Sequence, residues 1–231
     1  MIAVVTSTIK PGTQDRSFFS FEERLAQTKR TLTQLQAHGF SEIYIIDNSP
    51  ALNLESLKEL LKEFRNVNAY HILQFQFNNK GINELLMLLF LTDFLPAEGK
   101  IFKISGRYYP TASFFEPQFE DFAVRPYHYK KRTGTISTRA YWVKDASTMK
   151  KFLQNCLIEV NAYPERIVGL KSLGKNLAKI FLKTKTSPIN ISIEFAAANV
   201  LKNENYQVNL LEHIGIEGRV AGAGQLEKIT E

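Results

Sequence analysis

The sequence predicts one α/β domain, a three-layer α/β/α sandwich around a mainly parallel, mixed sheet. Three observations predict it. Short β-branched apolar runs alternate with longer amphipathic segments through about the first 110 residues. These runs lack the polar alternation of a half-exposed sheet, so they read as strands buried on both faces. Each run also ends in a polar or glycine-containing turn, as crossover units of a parallel sheet require.

The elements follow in order. Residues 2–9, IAVVTSTI, form the first strand, and Pro11-Gly12 marks a turn. Ser20 and Glu23 make an S-x-x-E capping box for a helix running to about residue 38, with Leu25, Leu32 and Leu35 on one face and Gly39 as its stop. Residues 42–47, EIYIID, form a second strand broken by Asn48-Ser49-Pro50. A short helix over 55–64, a strand over 68–75 and the polar turn Asn78-Asn79-Lys80-Gly81 come next. A strongly apolar helix over 82–95 then leads to a fourth strand, 101–105, ending at Gly106-Arg107-Tyr108-Tyr109-Pro110. The remainder is less regular. It reads as a strand over 135–143, a helix over 145–158 with Asp145 near its N-cap, helices over 171–183 and 191–202, and a late strand over 206–211. Neither a repeat nor a linker divides the chain, so 1–231 is expected to be a single domain.

Composition narrows the class. Hydrophobic residues make up 44% and charged residues 23%, ordinary globular usage, so a sizeable core is expected. The single cysteine, Cys156, lies in an apolar stretch and permits no disulfide within the chain, which suits a reducing, cytoplasmic setting. A signal peptide is not expected, because the apolar start is short and lacks a basic flank. No run reaches the length of a membrane span. The net charge of +6 favours anionic partners. It is concentrated in Arg125, Lys130, Lys131, Arg132 and Arg139, and in the lysines of 171–185.

Ligands of open α/β sheets bind beyond the carboxyl ends of the strands. The residues there are Thr6-Ser7-Thr8, Asp47-Asn48-Ser49, Asn78-Asn79-Lys80-Gly81 and Ser105-Gly106-Arg107. Glycine lets backbone amides approach a phosphate, and Lys and Arg supply charge. Loops are polar in any protein, so no single residue decides the matter. Asp47 either accepts hydrogen bonds from a ribose or base, or closes an Asx-turn with Ser49-Pro50. Neither G-x-G-x-x-G nor G-x-x-x-x-G-K-[ST] occurs, which disfavours dinucleotide oxidoreductases and P-loop NTPases. The four histidines are scattered and form no metal motif.

The order of strand, IIDNSP, strand, NNKGINE with its apolar helix, strand and KISGRY resembles the nucleotide-binding half of GT-A-type glycosyltransferases, above all those of bacterial capsule and lipopolysaccharide synthesis. The resemblance covers about residues 2–110, with a looser echo in SIEFAAANVL and GIEGRVAGAG. It implies a Rossmann-like sheet, with a nucleotide-sugar donor held by 1–110 and a glycan or lipid-linked glycan acceptor by 111–231. Donor contacts are then expected from Thr6, Ser7, Asp47, Asn48, Asn79, Lys80, Gly81, Lys103, Ser105, Gly106, Arg107 and Tyr108.

One departure matters. The fourth strand of that family usually ends in an Asp-x-Asp that holds a divalent metal, whereas here the place reads Ser105-Gly106-Arg107, with no acid until Glu116. Charge developing on a diphosphate leaving group must still be stabilised. Cationic side chains are the substitute: Arg107, with Lys80 or Lys103, and Arg125, Lys131, Arg132 and Arg139 as a second set for phosphate or acceptor. The expectation is an enzyme without a metal cofactor, a divalent ion being the disfavoured alternative. An inverting transferase also needs a general base. The resemblance places it near a helix start in the C-terminal half, at Glu194, with Glu120 and Asp121 as rivals.

The basic segment 170–185 carries Leu170, Leu173 and Leu177 at helical spacing. It reads either as a peripheral membrane contact or as an ordinary surface helix. GIEGRVAGAGQ is a lid or a tail. A nucleic-acid-binding protein and a noncatalytic scaffold of the same fold are the alternatives to a glycosyltransferase, although no nucleic-acid-binding motif supports the first, and a nucleotidyltransferase is a weaker one, since it would normally need metal-binding acids.

Overall fold

The computed structural model describes residues 1–12, 19–74, 77, 79–129, 132–162, 174, 191–219 and 228–231. Its centre is β1 (Ile2–Ser7), hydrogen-bonded in parallel to β2 (Glu42–Asp47) on one side and β4 (Ile101–Ser105) on the other. A strand paired at both edges and covered on both faces must be apolar throughout, and all six residues of β1 are buried. Successive side chains alternate between faces. Ala3 and Val5 pack with Leu32 and Leu35 of α1 (Phe21–Ala37) and Leu57 of α2 (Leu54–Leu60). Ile2 and Val4 pack with Leu85 and Leu88 of α3 (Lys80–Leu91), beside α4 (Ala146–Ala162) and α5 (Ile193–Asn203). Two apolar cores on opposite faces of one sheet make the three-layer α/β/α sandwich.

Among the described residues the sheet has seven strands. Beyond β2 lies β3 (Val67–His71), and beyond β4 come β9 (Ala140–Val143), β6 (Phe122–Val124) and β10 (Val208–Leu210). Only β9 runs antiparallel to its neighbours, so the sheet is mixed but mainly parallel. The chain winds outward from β1 to β3, and α3 then carries it back across the sheet to β4 on the other side of β1. The strand order therefore reverses between β1 and β4, and such a reversal opens a crevice at the carboxyl ends of those strands.

Two small sheets flank this one. β5 (Tyr108–Pro110) pairs antiparallel with β11 (Ile216–Arg219), which pairs with β12 (Lys228–Thr230). β7 (Pro126–Tyr129) and β8 (Arg132–Ile136) form a hairpin.

The expected elements of the first 105 residues are present, with second and fourth strands spanning 42–47 and 101–105. The expected single strand over 135–143 is two. β8 belongs to the hairpin and β9 to the main sheet, and the chain turns between them where Ser137 N donates to Arg125 O (2.8 Å). Asp145 caps α4 by accepting from Thr148 N (2.7 Å). Cys156 is buried in the α4 face of the core, and burial raises its thiol pKa. Of the helix expected over 171–183 only Gly174 is described, and most of the glycine-rich segment near the C-terminus lies outside the described residues.

Candidate functional site

The crevice at the β1/β4 reversal is a cavity of about 210 Å³. β1 and the residue after it contribute Thr6, Ser7 and Thr8, and the end of β4 contributes Ser105, Gly106 and Arg107. α1 adds Arg24 and Thr28, α3 adds Lys80, Asn83, Glu84 and Met87, and Asn48 and Pro50 come from the loop after β2. Pro11 and Gly12 complete the rim.

Local chemistry shapes each wall. Gly106 N donates to Thr6 O (2.8 Å), which carries the strand pairing one residue beyond β4. A Cβ at position 106 would stand 3.3 Å from Thr6 O and 3.4 Å from Ser7 Cβ, so glycine lets the chain turn away while remaining close to β1. Asp47 is fully buried and organises the loops from below, accepting from Ser7 Oγ (2.7 Å), Ile9 N (2.8 Å) and Ser49 N (2.8 Å). The Ser49 bond is the Asx-turn weighed from the sequence, and Asp47 does not line the cavity. Above it, Thr8 Oγ1 donates to Asn48 Oδ1 (2.6 Å). The loop positions are thus set by hydrogen bonds within the protein.

The electrostatics are dominated by two guanidinium groups. Arg24 Nη1 donates to Thr8 O (2.7 Å) at the end of β1. Burial, and then the nearby charge of Arg107, lower the Arg24 pKa to about 10, partly offset by Asp47. Burial is the larger cause, and the contribution of Arg107 means that two like charges lie near each other, so an anion beside them favours the charged form of both. Lys80 adds a third cation to the lining. Glu84 is the one carboxylate in it among the described residues.

The cavity brings together Thr6, Ser7, Asn48, Lys80, Ser105, Gly106 and Arg107 from the residues the sequence singled out. Five other donor candidates lie off it. Lys103 points to the α3 face and is completely buried, with its ammonium donating to Glu84 Oε1 and to Thr138 O (2.6 Å), so its charge is neutralised inside the protein. Tyr108, the first residue of β5, is buried, and its hydroxyl accepts from Arg139 Nε (3.1 Å). Asn79 caps α3 by accepting from Gly81 N (2.9 Å) and donates to Ile191 O (3.2 Å). Gly81 faces Ile193, whose Cβ would lie 2.8 Å from any side chain added there. Asp47, as above, is the fifth.

The second cationic set is not at the cavity either. Arg125 and Arg139 converge on the buried carboxylate of Glu231, which also accepts from Ser137 Oγ (2.6 Å). Burial alone would lower the Arg139 pKa, but Tyr108, Glu231 and Tyr127 more than offset it and hold the group firmly charged. Lys131 lies outside the described residues, as do Lys130 and the side chain of Arg132. Glu194 sits half-buried in the first turn of α5, off the cavity lining. Its rival Asp121 accepts from Gln207 N (2.9 Å) and braces the β6–β10 edge.

Sequence reasoning missed Arg24, Thr28, Asn83 and Glu84, all of them on helices rather than at strand ends. A signal for Arg24 existed. Positions 24, 28, 31 and 35 fall on one helical face, and Thr28, Thr31 and Leu35 are buried there. An arginine on the inward stripe of a helix needs an internal partner.

No family model matches the sequence, and no curated protein sequence matches it. Solved structures with a similar chain path include a nucleoside-diphosphate-sugar pyrophosphorylase from Vibrio cholerae RC9, at 9% identity and a TM-score of 0.49, covering 94% of each chain. Another is the glycosyltransferase GlyE from Streptococcus pneumoniae TIGR4, at 12% identity and a TM-score of 0.49, matching 91% of this chain but 45% of that one. This chain thus spans less than half the length of the second. At these identities neither likeness bears on chemistry.

Proposed function

We propose that this chain is a glycosyltransferase that moves a sugar from a nucleotide-sugar donor to a glycan or lipid-linked glycan acceptor. The observation that carries the reading is the convergence of Arg24 and Arg107 on a polar crevice at the strand-order reversal. Sugar transfer breaks the bond between the anomeric carbon and the diphosphate, and negative charge grows on the departing phosphate oxygen. Guanidinium groups already placed and partly desolvated stabilise that charge more than solvated ones would. They take the part that metal-binding acids play in related enzymes, and β4 here ends in serine, followed by glycine and arginine.

One observation favours a second reading, a nucleotide-sugar-binding scaffold without turnover. The carboxylate that lines the crevice, Glu84, is ion-paired to Lys103, and the sequence-expected base Glu194 lies off the crevice. Donor hydrolysis by the purified protein separates the two. Acceptor contact by residues 170–185, including contact with a membrane surface, stands as part of the proposal and concerns residues that, Gly174 apart, lie outside those described. Among the described residues, no helix is long and apolar enough to cross a membrane.

The test is calorimetric titration of UDP, GDP, CMP and their sugars, with and without EDTA. Affinity for one nucleotide family, unchanged by EDTA, is expected. Arg107→Ala and Arg24→Ala should each weaken it about 10- to 100-fold, the size of a lost charge-assisted hydrogen bond. Binding that requires Mn²⁺, or that ignores both substitutions, would overturn the assignment of these arginines.

A further inference from the structure

We infer that Glu84 is the residue through which the crevice reads hydroxyl groups on its ligand, so that the site selects a polyhydroxylated phosphate over a bare one. This rests on the phosphate-binding reading of Arg24 and Arg107 given above. Three observations support it.

Glu84 stands among cations yet is not neutralised by those that line the crevice. Its partner is Lys103, which is buried beneath it with a side chain only 1% exposed. The pair is anchored from below, since Lys103 also donates to Thr138 O (2.6 Å). Thr6 Oγ1 adds a bond from the end of β1 (3.3 Å).

Both bonds fall on the same oxygen. Lys103 Nζ and Thr6 Oγ1 each donate to Oε1. Among the described residues, Oε2 has no protein donor, the side chain is 26% exposed, and Glu84 lines the crevice. A carboxylate fixed by one oxygen offers the other in a set orientation, and its remaining lone pairs need donors.

Charge decides what that donor is. A carboxylate repels phosphate, so Glu84 does not face the anionic part of a ligand. It accepts well from hydroxyls, which sugars and riboses carry in quantity. Arginines at one wall and a fixed carboxylate at another thus match a molecule with phosphate at one end and hydroxyls at the other. If Glu84 served only to neutralise Lys103, removing its charge would alter stability without altering which phosphates bind.

The experiment measures affinities of wild-type protein and Glu84→Gln for inorganic pyrophosphate, the four ribonucleoside diphosphates, their 2′,3′-dideoxy forms and the corresponding nucleotide sugars. Wild-type protein is expected to prefer the hydroxylated ligands about tenfold or more, as sites built to bond a hydroxyl reject analogues that lack it. In Glu84→Gln that preference should collapse while pyrophosphate binds equally or more tightly. Loss confined to the ribose-to-dideoxy comparison places the contact at the ribose, and loss confined to the sugar-bearing forms places it at the sugar. A preference that survives in Glu84→Gln, or one absent from wild-type protein that still binds pyrophosphate, overturns the role of Glu84 alone. Failure of wild-type protein to bind pyrophosphate or any nucleotide overturns the phosphate-site reading, and this inference with it. Should Glu84→Gln not fold because Lys103 is left buried without its partner, the double variant Glu84→Gln/Lys103→Met removes both charges and takes the same measurements.

Discussion

Arg24 is the residue on which the crevice turns, and its chemistry gives a pH prediction. A basic group whose folded pKa is depressed penalises the folded state while it is charged. The penalty is present at neutral pH and is relieved as pH rises through about 10 toward the usual arginine range. A phosphate bound beside Arg24 favours the charged form and raises its pKa. Ligand binding should therefore take up protons as pH approaches 10, and affinity should fall as pH climbs past it. Calorimetry near pH 10 in buffers of different ionisation enthalpy measures that uptake, with a larger value expected in wild-type protein than in Arg24→Gln. Little of this was legible in the sequence. The strand-end residues Ser7, Ser105 and Arg107 could be found because a strand's end is local, whereas the depression of Arg24 comes from its burial and then from Arg107, a residue distant in sequence.

The elements themselves were far more legible. α1 begins with a complete capping box, Ser20 N donating to Glu23 Oε2 (2.8 Å) and Glu23 N to Ser20 Oγ (3.2 Å). Ser20→Ala should destabilise the protein by about 1 kcal/mol, read as a lowered midpoint in urea with an unchanged slope. Because Arg24 and Thr28 follow within two turns, fraying of this helix end should also weaken diphosphate binding. β2 and β4 could be delimited from the sequence because each is a short, mostly apolar run bounded by polar residues, and local pattern is the whole signal. The stretch 135–143 could not, because its division into β8 and β9 is decided by partners distant in sequence. Ser137 meets Arg125 and Glu231 at the break, and β9 must separate from the hairpin to pair with β4 and β6.

Across the whole molecule, the C-terminal strands brace the crevice. β11 packs so closely on the β4–β5 turn that a Cβ at Gly218 would overlap Arg107 O and the Tyr108 ring. Gly218→Ala should cost about 1–3 kcal/mol of stability and, by displacing the Arg107 backbone, weaken diphosphate binding as well. Urea denaturation and calorimetry on the same variant test both parts, and unchanged affinity with lowered stability would show that β11 supports the fold without positioning Arg107. The buried Glu231, holding Arg125 and Arg139, ties the same C-terminal segment to the far edge of the main sheet. The amino-acid sequence by itself determined the fold class, the parallel first half and the polar strand ends, because apolar periodicity and turn chemistry act over a few residues. Only the tertiary structure decided which charges share a space. It buried Lys103 against Glu84, directed Arg125 and Arg139 to Glu231, and brought Arg24 to Arg107, because burial and charge pairing depend on where distant segments meet.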